Sequence, residues 1–159
     1  MHLWGRNHYG ECGEKPEVTK IVNPPKVVKS KVQGVERQVV MVACGGFHTL
    51  LLNQDNDVCA MGRNDSGQLG LSQNEYEHQS EPMRCTLFTD KVITEIAAGS
   101  SHSVALTVEG YAYSWGGNSH GQLAQGSQVT VHANSKISMP KIIENLLGRG
   151  ICHVVCKFD

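Results

Sequence analysis

The feature that most constrains the fold of this chain is an internal repeat. In each copy an apolar or aromatic residue precedes a glycine, an asparagine follows two positions later, and a glycine-containing turn comes next. The three copies are residues 3–13, 60–70 and 114–124. Gly62 follows Gly5 by 57 residues and precedes Gly116 by 54. Self-similarity at a period of this length indicates a row of similar supersecondary units.

A second block repeats at the same period but out of step with the first. Residues 42–52 match residues 96–106, and their histidines, His48 and His102, lie 54 residues apart. Residues 154–159 begin a third copy of this block. One proline also marks each unit, at Pro25, Pro82 and Pro140. Three independent markers therefore agree on a period of about 55 residues, which gives about 2.8 units.

Short apolar runs bounded by turn residues predict buried strands. They are residues 39–44, 48–52 and 58–61 in one unit, and 92–98, 102–107 and 111–115 in the next. The segments after Pro25, Pro82 and Pro140 are candidates for a fourth strand, entered by a proline that cannot donate to a ladder. For the last of them, residues 142–147, a helix is the alternative. Four short strands per unit predict an all-β fold of β-propeller blades, each with four antiparallel strands.

The paired signatures resemble the regulator of chromosome condensation repeat. They are Trp-Gly-x-Asn-x-x-Gly-Gln-Leu-Gly-like turns and Ala-Cys-Gly-x-x-His-Thr-like strands. The resemblance covers nearly the whole chain and implies blades of a seven-bladed propeller. The expected units are residues 1–58, 59–112 and 113–159, the last incomplete. Met61, Glu11-Cys12 and Lys157 depart from the pattern and leave the expected fold unchanged.

These units are expected to form a partial ring. Propellers close at about four to eight blades, so the rest of the ring would be supplied by sequence outside these residues. Open strand edges are a known route to association, and we expect this chain alone to self-associate. The expected core residues, between sheets packed face to face, are Leu50, Leu52, Val104 and Leu106.

Composition and charge disfavour several classes of partner. The formal net charge is −1, whereas a dedicated nucleic-acid binder normally carries a basic excess. No apolar run reaches the ~18 residues of a membrane-spanning helix, and no signal peptide is visible. We expect a cytoplasmic or nuclear location, or both. Of the six cysteines only Cys152 and Cys156 lie close together, which predicts free thiols and no metal site.

No group of residues forms a catalytic constellation in the sequence. The Gly-x4-Gly pattern at residues 62–67 is followed by Gln-Leu, where a phosphate loop needs Lys-Ser/Thr. Ser100-Ser101-His102 lacks the strand-to-helix elbow of a hydrolase. His48 and His102 open equivalent strands, which predicts structural histidines hydrogen-bonded to neighbouring backbone. We therefore expect no enzymatic activity and no cofactor.

The polar residues of the repeated turns are expected to have structural roles. Asn7, Asn64 and Asn118 are predicted to close their turns by bonding their own backbone. Gln68 and Gln122 are predicted to bridge strand or blade edges.

The leading functional hypothesis is a protein-interaction scaffold, part of a larger propeller. Propellers present function on loops held by a rigid framework. The candidate partner-binding loop residues are Arg6, His8, Tyr9, Asp65, Ser66, Ser119 and His120. The polar insertion at residues 125–138 is expected to contribute to the same surface.

The resemblance implies two alternatives. One is guanine-nucleotide exchange on a small GTPase, which the founding member of the family performs on Ran by displacing bound nucleotide and Mg²⁺. The other is chromatin attachment, which the near-neutral charge disfavours. The lysines between residues 15 and 31 are diluted by Glu14 and Glu17 and are predicted to be a solvated edge.

Overall fold

The computed structural model describes residues 1–71, 77–126, 131–132 and 134–157. Residues 127–130 and 133 of the expected polar insertion lie outside this description. The strands, in chain order, are β1 His2–Arg6, β2 Ile21–Val27, β3 Ser30–Val32, β4 Val35–Arg37, β5 Val39–Cys44, β6 His48–Asn53, β7 Val58–Arg63, β8 His78–Arg84, β9 Ile93–Ala98, β10 His102–Thr107, β11 Ala112–Gly117 and β12 Lys136–Ile142.

Two four-stranded antiparallel sheets form the centre of the structure. The first sheet has the order β5-β6-β7-β8 and the second has the order β9-β10-β11-β12, so each is a simple meander. β1 and β2 form an antiparallel pair, and β3 and β4 form a hairpin. The expectation of an all-β fold with four-stranded antiparallel blades is confirmed.

The fourth strands contain the repeat prolines instead of following them. Pro82 lies inside β8, where the ladder with β7 is interrupted between Ala60 and Gly62. Pro140 lies at the matching interruption between β12 and β11, and Pro25 at the one between β2 and β1. A proline has no N–H to donate, so it occupies a break in the ladder of an edge strand. The predicted start of these strands was therefore wrong.

A short 3₁₀ segment follows each of the two complete fourth strands. The segments are Thr86–Phe88 and Glu144–Leu146. The second falls within residues 142–147, where the sequence left strand and helix open. Among the described residues, no helix has the length and apolarity needed to span a bilayer.

The core lies between the two four-stranded sheets. Leu50 is fully buried and Leu52 is 5% exposed, in one cluster with Trp115, Tyr113 and Phe88. Phe88 meets the Tyr113 ring edge-on, with centroids 5.6 Å apart. These buried side chains join the two sheets into one hydrophobic unit.

Val104 does not belong to this core, although its repeat equivalent Leu50 does. Val104 is half-buried, whereas Leu106 is buried in a smaller cluster with Ala112 and Ile143. Both lie on the face of β10 that points away from the first sheet. That face is covered only in part by residues after Ile143, so the expected core position of Val104 was wrong.

Candidate protein-interaction face

The repeated turn begins where β1, β7 and β11 end, and an asparagine holds it closed. Asn64 Oδ1 accepts a hydrogen bond from the Leu69 backbone N–H at 3.1 Å. Asn7 and Asn118 make the equivalent bonds at 2.9 and 3.1 Å. The predicted role of these asparagines is confirmed. The three turns therefore present the residues between asparagine and glycine on one side of the molecule.

The acidic or amide residue of the turn also bonds within its own turn. Gln68 Oε1 accepts the Ser66 N–H at 2.9 Å, and Gln122 Oε1 accepts the His120 N–H at 2.9 Å. Glu11, at the same position, accepts the Tyr9 N–H at 2.7 Å. Gln68 Nε2 also bonds within the turn, to Asp65 Oδ1 at 3.4 Å, so the prediction that the Gln68 side chain bridges strand or blade edges was wrong.

The backbone carbonyl at this position makes the bridge instead. The Gln68 carbonyl accepts hydrogen bonds from Ser103 Oγ at 2.8 Å and from Trp115 Nε1 at 2.9 Å, both in the second sheet. One repeat earlier, Thr49 Oγ donates to the Glu11 carbonyl at 2.8 Å. We call the Glu11–Thr49 contact region the first junction and the Gln68–Ser103 contact region the second junction.

His48 adds a side-chain contact to the second junction. Its Nε2 lies 2.9 Å from Ser103 Oγ. Because the Ser103 hydroxyl donates its proton to the Gln68 carbonyl, His48 donates through Nε2–H and its Nδ1 is unprotonated. His48 is thus structural, as expected, but its partner is a side chain and not neighbouring backbone.

The environment of His48 keeps its imidazole neutral. Burial, with a smaller contribution from the nearby His102, lowers the pKa of His48 from 6.5 to about 3. Nδ1 is buried and has no hydrogen-bond partner among the described residues. A protonated ring would therefore have an unsatisfied donor in an apolar environment. His48 is suited to holding two sheets together and not to acid–base chemistry near neutral pH.

At the first junction, two arginines and two aromatic rings form what we call the cation–aromatic cluster. It consists of Arg6, Tyr9, Phe47 and Arg63. The guanidinium carbon of Arg63 lies 5.1 Å from the Tyr9 ring centroid and 5.6 Å from that of Phe47. Arg6 lies 5.5 Å from the Phe47 centroid, and the two rings meet edge-on at 5.4 Å. Arg63 also pairs with Asp65.

At the second junction, three of the four equivalent positions carry small residues and leave a polar hollow, while Arg63 itself stands at the position of Arg6. Ser66, Ser101 and Gly117 stand where Tyr9, Phe47 and Arg63 stand one repeat earlier. The resulting hollow has a volume of about 300 Å³, and its lining is Asp65, Ser66, Ser101, Gly117, Ser119, Asn134, Ser135 and Lys136. Lys136 Nζ donates to the Asp65 carbonyl at 2.9 Å. The hollow borders the cation–aromatic cluster through Asp65.

The candidate loop residues all lie on this side of the molecule. Arg6 and Tyr9 belong to the cation–aromatic cluster, whereas Asp65, Ser66 and Ser119 line the polar hollow. His8 and His120 are exposed at the turn tips beside them. We call this surface the loop face.

Four residues of this surface carry no signal in the sequence that led to their prediction: Phe47, Arg63, Ser101 and Lys136. Arg63 could have been found, because it repeats Arg6 in the alignment of the units. Phe47 and Ser101 belong to the other repeated block. Phe47 lies in the β5–β6 connection and Ser101 in the β9–β10 connection, and each of these connections lies beside the end of β7 or β11. Lys136 opens β12 and had no signal in the repeat pattern.

All six cysteines are free thiols. Burial raises the pKa of Cys12 to about 11 and raises that of Cys85 as well, so neither thiol is activated as a nucleophile. Within the described residues, no group of three His, Cys, Asp or Glu side chains could hold a metal ion.

A family model matches this chain over most of its length. The model described as "Regulator of chromosome condensation (RCC1) repeat" matches residues 1–52, 55–106 and 109–156. A second model with the same description matches residues 39–68 and 93–122. Each range of the second set covers the first three strands of one four-stranded sheet and the turn after the third strand.

Relatives and solved structures agree with these matches. The human "Probable E3 ubiquitin-protein ligase HERC6" is 33% identical over 159 residues, which is 98% of this chain and 14% of that protein. The yeast RCC1 protein Prp20, in a crystal structure with Kap60, superposes with a TM-score of 0.82 at 27% identity, over 98% of this chain and 36% of Prp20. A second Prp20 structure from Saccharomyces cerevisiae gives 0.82 at 26%, over 99% and 37%. The chain thus spans about a third of these solved structures and a seventh of the curated relative.

Proposed function

Because the chain belongs to the regulator of chromosome condensation repeat family, we propose that it is a non-catalytic protein-interaction scaffold whose loop face binds a protein partner. The candidate contact residues are Arg6, His8, Tyr9, Asp65, Ser66, Ser119 and His120. The relative HERC6 is named as a probable E3 ubiquitin-protein ligase. If the full-length protein is also a ligase, we assign partner recognition, and not the chemical step, to these repeats.

One observation supports the loop face above all others. The turns that carry it are closed by their own asparagine and by the glutamine or glutamate that follows it, so tip side chains such as His8 and His120 are not needed to close them. Aromatic and arginine side chains then occupy the surface at the first junction. Side chains of these types dominate the binding energy of protein interfaces. A rigid turn with an arginine–aromatic surface is therefore well suited to recognition.

The proposal is tested by site-specific photocrosslinking in the full-length protein in cells. A benzophenone amino acid at His8 or His120 is expected to capture a protein partner, identified by mass spectrometry. The same amino acid at Gln54 or Val108, on turns at the opposite ends of the strands, is the matched control. Alanine at the six candidate residues other than the probe position should abolish the capture. Undiminished capture in that variant, or equal capture from Gln54 and Val108, would overturn the loop-face assignment.

A second candidate function is guanine-nucleotide exchange on a small GTPase. Its support is the superposition on Prp20, for which one structure reports binding properties to Gsp1p and histones. The test is the release of a fluorescent guanine nucleotide from a panel of small GTPases by the full-length protein. Acceleration for one of them would establish exchange, and no acceleration for any of them would exclude exchange on the GTPases tested.

For chromatin attachment, nucleosome binding is the corresponding assay. A small GTPase and a nucleosome are both consistent with the expected cytoplasmic or nuclear location.

A further inference from the structure

We propose that the cation–aromatic cluster binds an acidic segment of the protein partner, with carboxylates on Arg6 and Arg63 and an apolar side chain against Tyr9 and Phe47. This inference rests on the proposed interaction function and specifies the chemistry of the partner. The two junctions provide an internal comparison within one chain.

The fold itself does not require the cluster. Both junctions share the hydroxyl-to-carbonyl bridge, from Thr49 to Glu11 and from Ser103 to Gln68. The second junction forms with Ser66, Ser101 and Gly117 at the positions that Tyr9, Phe47 and Arg63 occupy in the first. Since the repeat packs with small residues at these positions, the large side chains at the first junction are available for another role.

The geometry of the arginines leaves their N–H groups available. Each guanidinium lies over a ring, and Arg63 lies near two rings. Contact with the ring covers a flat side of the guanidinium and leaves its N–H edge exposed. Arg6 can therefore bond a carboxylate with two donors, whereas Arg63 already pairs with Asp65 and offers its remaining N–H groups. Arg6 is exposed and has no carboxylate partner among the described residues. The stacking also restricts the side chain before binding, which lowers the entropic cost of association.

The local charge favours an anionic partner although the whole chain carries −1. Arg6, Arg63 and Lys136 lie along the face, with Asp65 between them as the paired anion of Arg63. Glu11 turns its carboxylate inward to the His8 and Tyr9 backbone N–H groups, at 3.2 and 2.7 Å. The surface therefore presents a local cationic excess.

A protein segment fits this surface better than a nucleic acid. Tyr9 and Phe47 are both half-buried and meet edge-on, so they offer an apolar shelf and not an open ring face for base stacking. Two arginines and one lysine are also fewer than the basic stripe that tracks a phosphate backbone. An apolar side chain flanked by carboxylates matches both the shelf and the cations.

The test measures binding of a fluorescent peptide of alternating glutamate and leucine to the full-length protein. The matched peptide has glutamine in place of glutamate, and a single-stranded oligonucleotide serves as the nucleic-acid probe. Arg6→Gln and Arg63→Gln are each expected to weaken glutamate-peptide binding about tenfold, the loss of one charge-assisted hydrogen-bonding group. Arg6→Lys should also weaken it, because lysine keeps the charge but not the planar donor pair. Arg149→Gln, at another exposed arginine, should have no effect, and thermal melting verifies that each variant is folded.

Equal binding of the two peptides, or unchanged binding in Arg6→Gln, would overturn the inference. Tighter, Arg6-dependent binding of the oligonucleotide would also overturn it, in favour of nucleic acid. The photocrosslinking experiment separates this failure from failure of the proposed function. If His8 and His120 still capture a protein in the Arg6→Gln background, the scaffold function stands and only the acidic chemistry fails. If neither position captures a protein, the scaffold function itself fails.

Discussion

Trp4 and Trp115 occupy the same position of the repeat, yet their side chains have opposite environments. Trp4 is 66% exposed, whereas Trp115 is fully buried and donates Nε1–H to the Gln68 carbonyl at 2.9 Å. The difference arises because the turn after β7, which contains Gln68 and Gly70, covers Trp115. None of the described residues covers the Trp4 ring in the same way. A residue's position in the repeat therefore predicts its backbone conformation better than its contribution to stability.

The tryptophan pair yields a direct comparison of the two environments. Trp115→Phe should lower the free energy of unfolding by about 1–3 kcal/mol, since it removes a buried hydrogen bond and leaves a void. Trp4→Phe, the same change at an exposed position, should alter it by less than about 0.5 kcal/mol. Urea denaturation of both variants measures the difference. Similar losses in the two variants would contradict the assignment of Trp115 as the residue that joins the sheets.

The lowered pKa of His48 predicts that the free energy of unfolding depends on pH. Its pKa is lowered from 6.5 to about 3 in the folded protein, so between these values the unfolded chain binds the proton and the folded one does not. The His48 contribution is therefore fully present above the unfolded pKa and is lost as pH falls, by up to about 1.4 kcal/mol per pH unit. Urea denaturation from about pH 7 to about pH 5 measures this slope. His48→Gln should flatten it, whereas His120→Gln, at an exposed turn, should leave it as in the wild type.

Edge strands and tight turns show how one backbone pattern is repeated with different side chains. Every fourth strand carries its proline at a break in the ladder. The last residue but one of β1, β7 and β11 is a glycine with positive φ, which is 107° at Gly5, 105° at Gly62 and 103° at Gly116. The elements are thus defined by a small number of residues with unusual backbone requirements.

Two of these glycines share a conformation but differ in their surroundings. A Cβ on Gly62 would lie 2.4 Å from the Phe47 carbonyl oxygen and 2.7 Å from His48 Cα, whereas one on Gly5 would meet nothing within 4 Å. Gly5→Ala should cost about 1–2 kcal/mol from the left-handed backbone alone. Gly62→Ala should cost at least about 3 kcal/mol, because β6 must also move. Thermal melting compares them, and equal losses would show that close approach contributes nothing.

On the scale of the whole molecule, the two four-stranded sheets do not coincide with the sequence repeats. The family match at residues 55–106 takes β7 and β8 from the first sheet and β9 and β10 from the second. Each repeat therefore contributes to two sheets, and the connection through β8 and β9 ties them together. The same arrangement leaves apolar surface exposed on the β1–β2 pair, where Trp4 and Ile21 are each 66% exposed.

This surface predicts the association of these 159 residues when they are produced alone. Exposed apolar surface beside open strand edges favours contact between copies. Sedimentation should show a mass that rises with protein concentration. Trp4→Ser should shift the equilibrium toward monomer, whereas Val18→Ser, at an exposed valine outside the strands, should not. A monomer at all concentrations would contradict the prediction.

The amino-acid sequence by itself determined the repeat, the all-β class, the antiparallel strands and the asparagine-closed turns. These features depend on local rules: short apolar runs bounded by turn residues, the left-handed conformation of glycine and the hydrogen bonds of asparagine to nearby backbone. The position of the prolines within the fourth strands was not predictable in the same way, since it depends on the register with β7 and β11.

Only the tertiary structure decided how the candidate residues are grouped. Tyr9 and Arg63 come together with Phe47, which belongs to another motif, because the turn after β1 packs against the first sheet. The same packing directs the Gln68 carbonyl to Trp115 and Ser103 and leaves Val104 outside the core. Contacts between sheets depend on the angle and distance at which the sheets pack. The packing energy of many distant side chains sets that geometry, and no local pattern encodes it.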